Sequence, residues 1–165
     1  MRVRRPKIPE YPDEIRFTTY GKPVPKARAT VVRNKKDDPS AGSHGFTPLN
    51  TVGWENSICG QSLATKPPYP WQGGIQLGVI FYKHIPKSWS KKKKLACSEG
   101  RMRPVGARDD YDNMLKSVKD ALNGIYWIDD GQVVDIIDID GVYSGKRFSD
   151  LPRVEILIKF LRDEA

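Results

Sequence analysis

A single α+β domain is the fold class this sequence predicts, and three observations carry the prediction. Ile75, Leu77, Val79 and Phe81 alternate with Gln76, Gly78, Ile80 and Tyr82, the two-residue period of a strand with one inward face. Met114, Leu115, Val118, Ala121, Leu122 and Ile125 recur every three or four residues, the period of a helix burying one stripe. The 165 residues suit one domain with a genuine core. We expect a small mixed β-sheet of about four strands with two or three packed helices, spanning residues 15–165 behind a basic N-terminal tail at 1–14.

The elements follow in order. Residues 1–13 are rich in Arg, Lys and Pro and read as irregular, either an arm for a polyanion or only a tail. Ile15–Tyr20 has the β-branched and aromatic content of a strand. The next segment, GKPVPKAR, is held extended by its prolines, so Lys22, Lys26 and Arg28 are presented from a stiff loop. Residues 34–45 are polar and full of turn formers, a candidate for disorder. Trp54, Ile58 and Leu63 then mark a weak helical stripe interrupted by Gly53 and Gly60. Three prolines and two glycines make 66–74 a linker within the domain, ahead of the strand that begins at Ile75.

Ser88 or Ser90 is placed to cap a helix over Lys91–Lys94 that ends near Gly100. Four consecutive lysines surround a helical turn, so two of them facing phosphates and a wholly solvated face are both open readings. Arg101 and Arg103 extend this basic region. After the central helix, Gln132–Tyr143 reads as a strand on which Asp138 and Asp140 share a face as a possible metal pair. Residues 144–152 read as a turn-rich break, and Arg153–Leu161 as a closing buried strand with Val154, Ile156, Ile158 and Phe160 inward.

Composition narrows the function classes. Lys and Arg number 28 against 20 acids, a net charge of +8, and several of the acids sit close together in one segment. The remaining surface is therefore more basic than the total, which favours a polyanionic partner. No run of about eighteen apolar residues exists, so no membrane span is expected, and the basic N-terminus lacks the apolar core of a secretory signal. Cys59 and Cys97 are too few for a disulfide framework and read as buried thiols in a reducing cytoplasm. His44 and His84 stand alone, which argues against zinc.

Most of the chemistry lies in RDDYDNMLKSVKDALNGIYWIDD, residues 108–130. Asp109, Asp110 and Asp112 precede the helical stripe, Asp120 lies within it, and Asp129 and Asp130 follow it. Asp112 is read as the helix cap and Gly124, after Asn123, as a left-handed stop. If the following segment returns alongside the helix, the carboxylates converge. Such convergence is tolerable around a hard divalent cation such as Mg²⁺, which takes oxygen ligands and activates water against a phosphodiester. Lys116 lies one turn after Asp112 on the same face, placed to hold a carboxylate or a phosphate oxygen. A cap with a surface ion pair is the alternative.

The pattern DxDNxxKxxxDALNG, followed by a short aromatic stretch and DDxQVV, resembles the signature of the RusA family of Holliday junction resolvases, endodeoxyribonucleases of phages and prophages. The resemblance implies a homodimeric, Mg²⁺-dependent crossover junction endonuclease, with Mn²⁺ as a possible substitute, that nicks four-way DNA symmetrically in recombination and repair. By position it puts the catalytic and metal-binding acids at Asp110, Asp112 and Asp130 and the essential lysine at Lys116, supported by Asn113 and Asp129. It implies DNA contacts at Lys22, Lys26, Arg28 and Lys146, to which the basic stretch read above adds Lys92, Arg101 and Arg103. The family's usual Pro before the first acid is Asp109 here, expected to face solvent, and a usual Arg is Thr30, leaving Arg33 as a substitute. A non-catalytic branched-DNA-binding protein, and an enzyme acting on flaps or RNA, remain as alternatives.

Overall fold

The computed structural model describes residues 10–28, 30–32, 44–106 and 109–162. Around the long central strand β4 (Ile75–His84) a five-stranded sheet forms with β1 (Glu14–Tyr20), β5 (Val133–Ile136), β6 (Gly145–Ser149) and β7 (Arg153–Phe160). β7 runs antiparallel to both β4 and β1. The opposite edge of β4 is shared by two short parallel strands: β5 faces Ile75–Leu77 and β6 faces Ile80–His84. A separate two-stranded ribbon joins β2 (Thr30–Val32) to β3 (His44–Phe46).

The alternation that predicts β4 also decides what covers it. Ile75, Leu77, Val79 and Phe81 are fully buried on one face, beside Val154, Ile156, Ile158 and Phe160 of β7 and Ile15 and Phe17 of β1. Two helices pack on that face: α1 (Leu49–Ser62) with Trp54 and Ile58, and α3 (Tyr111–Leu122) with Met114, Val118 and Leu122. Burying this much side chain is the main stabilising term, at about 1.5–3 kcal/mol for each large apolar residue. A third helix, α2 (Lys91–Ser98), lies outside this core and is capped by Ser90, whose hydroxyl accepts from the Lys93 amide.

Several expectations change. The sheet has five strands where about four were expected, because the supposed break at 144–152 contains β6. The strand expected over Gln132–Tyr143 stops at Ile136. Beyond it, Ile139 is buried against Ile80 and Leu157 on the second face of the sheet. Asp140 (φ 51) and Gly141 (φ 78) then turn the chain in the left-handed region, as an Asp-Gly pair does readily. Gly78 permits this crossing, since a Cβ there would lie 2.8 Å from Ile139 Cγ1.

Asp110, not Asp112, caps α3, its carboxylate accepting from the Asp112 amide at 3.3 Å. The stop holds, with Gly124 at φ 81. Leu63 lies beyond α1 and is exposed, so Thr51 and Ser62 fill the helix stripe in its place. Tyr11, assigned to the tail, is buried against Tyr69, Trp71 and Phe160. Cys97 is buried and Cys59 only half-buried. Residues 1–9 of the tail, Arg33 and residues 34–43 of the polar loop lie outside the described residues, and β1 takes Glu14 from the end of the tail.

Candidate functional site

α3 is anchored at its start. The Tyr111 hydroxyl donates to the Val79 carbonyl of β4 at 3.2 Å, and the ring meets Phe81 edge-on. Burial pushes the Tyr111 phenol up to about 12. This anchor sets Asp110 and Asp112 on the exposed first turn of the helix. Among the described residues, neither carboxylate is ion-paired. Lys116 is exposed one turn further along.

The third acid on the helix has a different environment. Lys26, from the proline-stiffened loop, places its ammonium 2.7 Å from Glu55 of α1 and 2.9 Å from Asp120 of α3, with all three side chains at least two-thirds buried. The same loop is held to α3 by the Lys26 amide on the Asn113 carbonyl and by Ser117 Oγ on the Val24 carbonyl. Desolvation works against the ammonium, but the hydrogen bonds to Glu55 and Asp120 outweigh it and raise the Lys26 pKa above the ordinary lysine value. Lys26, expected at a phosphate, thus ties two helices together. Lys22 and Arg28 of the same loop are exposed.

The Asp-Asp-x-Gln segment after α3 is a built turn. Asp129 caps a short 3₁₀ turn, Asp130–Gln132, accepting from the Gly131 amide at 2.7 Å. The Gln132 side chain donates to the Trp71 and Gly73 carbonyls and accepts from the Ile128 and Asp129 amides. Asp129 therefore supports the turn, and Asp130 is directed back toward α3, where it meets Lys119 at 3.8 Å. Lys119 lies seven residues after Asp112, on the same helical stripe as Lys116. Asp130 thus reaches the face that bears Asp112, but beside Lys119. Among the described residues no three His, Cys, Asp or Glu side chains are grouped closely enough to hold a metal.

Asp109 does not face solvent. Its carboxylate is ion-paired with Lys83 at the end of β4, and its carbonyl accepts from Lys146 of β6 at 2.7 Å. Lys83 was not singled out from the sequence, although its position was legible: it continues the inward alternation two residues past Phe81. Arg147, also unforeseen, folds onto the carbonyls of Lys146 and Tyr143. Burial, then the nearby Arg103, lowers its pKa. Arg103 itself is exposed, and Arg101 is engaged by Glu99.

In α2, Lys91 and Lys92 are exposed, whereas Lys93 lies over the Trp89 ring at 4.0 Å and Lys94 donates to the Lys87 carbonyl. Asp138 and Asp140 lie beyond the end of β5, so strand alternation does not place them on one face, and Arg16 Nη1 donates to both carboxylate oxygens of Asp140 at 2.8 Å. No described helix is long and apolar enough to cross a membrane.

A protein-family model described as endodeoxyribonuclease RusA matches residues 20–159. The uncharacterized protein YqaN of Bacillus subtilis (strain 168) is 35% identical over 150 residues, covering 89% of this chain and 96% of that protein.

Proposed function

The chain belongs to the RusA endodeoxyribonuclease family, and from that premise we propose a divalent-metal-dependent nuclease that resolves four-way and other branched DNA junctions. The observation that carries the reading is the exposed first turn of α3, where Asp110 and Asp112 stand without a lysine or arginine partner among the described residues. Two such carboxylates on one helical turn repel each other, and an oxygen-only donor set suits Mg²⁺, or Mn²⁺ in its place. Asp130 is the third proposed ligand. Its contact with Lys119 is long and its side chain is 45% exposed, so the pair contributes little and yields readily to a doubly charged competitor.

When bound, the ion supplies a lowered pKa for water and charge stabilisation at phosphate oxygens. The chain's own residues do the rest. Lys116 faces the non-bridging oxygens of the scissile phosphate, one turn along from Asp112. Asn113 and Asp129 hold the acids' backbone, Asn113 through its bond from Lys26 and Asp129 through its cap on the turn. Lys22, Arg28, Lys92 and Arg103, all exposed, are the proposed contacts to the DNA arms, supported by the excess of basic residues, while Lys146 is engaged on the Asp109 carbonyl. A homodimer follows from the substrate, since two strands of like polarity are cut by equivalent sites across a two-fold axis.

The reading set against it is a non-catalytic junction-binding protein, whose acids are only helix caps and surface charges. Incubation with a synthetic four-way junction separates the two readings. The nuclease gives paired nicks with Mg²⁺ and none with EDTA. Salt-sensitive binding without nicks at any divalent concentration supports the binder.

A further inference from the structure

Of the three acids that open α3, Asp109 is the one that a lysine holds among the described residues. The hold is double. Lys83 leaves the inward face of β4 and pairs with the Asp109 carboxylate, with both side chains largely buried, at 25% and 30% exposure. From the adjacent strand, Lys146 donates to the carbonyl of the same residue at 2.7 Å. Lys146 is the register partner of Phe81, two residues before Lys83, so both ammonium groups come from one face and one corner of the sheet. They grip Asp109 by side chain and main chain one residue before the cap Asp110 and three before Asp112. The Tyr111 hydroxyl on Val79 adds a third tie to β4.

We propose that Lys83, Lys146 and Asp109 form a clamp that fixes the direction in which Asp110 and Asp112 leave the sheet, with Lys83 acting as a positioning residue through Asp109. The proposal rests on reading Asp110 and Asp112 as the reactive acids. Two physical consequences follow from the pairing. The first turn of α3 is held against the rigid centre of the sheet at its entry, where a helix otherwise frays most. A third carboxylate beside the other two is also neutralised, so that it neither competes for the cation nor repels the incoming phosphate.

The competing role is direct: Lys83 as a phosphate ligand that Asp109 merely occupies while DNA is absent. The two roles diverge when the charges are exchanged. A Lys83→Asp/Asp109→Lys double variant rebuilds the pair but removes the cation from position 83.

The experiment compares wild type, Lys83→Met, Lys83→Arg, Asp109→Asn and the exchanged double variant in three measurements. These are single-turnover cleavage of a four-way junction with Mg²⁺, junction affinity in EDTA, and amide hydrogen exchange over residues 114–118, where the amides bonded within the helix begin with Met114 on the Asp110 carbonyl. The clamp predicts that Lys83→Met and Asp109→Asn cut at least about tenfold slower, since small misplacements of reacting groups are costly. Their junction affinity stays within about twofold, because no phosphate contact is lost. Exchange at the start of α3 rises about tenfold, as expected for a loosened helix end. Lys83→Arg and the exchanged variant recover most of both losses.

Weakened junction binding with unchanged exchange overturns the clamp and makes Lys83 a phosphate ligand. Unchanged cleavage and exchange in every variant also overturn it. If the wild-type protein does not cut DNA, the nuclease reading fails separately, and the exchange data on the four variants still decide the clamp.

Discussion

Asp112 and Asp120 are the same residue type on the same helix, two turns apart, and the structure gives them opposite environments. Asp120 is two-thirds buried and bonded to Lys26, which also bonds Glu55, so its charge is matched inside the fold. Asp112 stands on the exposed first turn with no ion pair among the described residues. Availability follows from environment: a carboxylate already satisfied by a desolvated lysine cannot also receive a cation, and one left to solvent can.

The largest effect is expected at Asp112. Asp112→Asn is expected to lose at least about a hundredfold in junction cleavage while its thermal midpoint stays within about 2 °C of wild type, because an exposed and unpaired charge does little for folding. Asp120→Asn should do the reverse. Losing a charged hydrogen bond costs about 2 kcal/mol in urea unfolding, with cleavage reduced by less than about tenfold. Lys26→Met should match it, and the Lys26/Asp120 double variant should fall short of the sum if the two act as one unit.

The same triad sets a pH dependence. Because the Lys26 pKa is raised in the folded state, its contribution is complete below the ordinary lysine value and is lost as pH rises through the raised one. Unfolding measured on the alkaline side should fall less steeply in Lys26→Met. The smallest effect belongs to Arg16 and Asp140, an ion pair across the second face of the sheet that is open to water. Asp140→Asn should leave the urea midpoint where it is.

How much of this was legible in the sequence varies with how local the cause is. β4 and α3 could be read directly, since their periodicity is their own burial pattern. β6 could not, because its five residues are polar or half-buried and form a strand only by pairing with β4. The end of β5 was signalled by Asp140-Gly141, but the β-branched run before it obscured the turn. At the site, the acids were visible as a motif, while their partners come from distant segments. Lys26 reads as a free cation until Glu55 and Asp120 are placed around it, and Asp109 reads as exposed until β4 brings Lys83 alongside. Charge type is local information. Whether a charge is free is tertiary.

The most direct measurement is the single-turnover rate of nicking of a four-way junction with Mg²⁺ by Asp112→Asn and Asp120→Asn, side by side, at a temperature where both are fully folded. The account predicts a loss of at least about a hundredfold for Asp112→Asn and less than about tenfold for Asp120→Asn. Equal rates for wild type and Asp112→Asn, or a larger loss for Asp120→Asn, would contradict it.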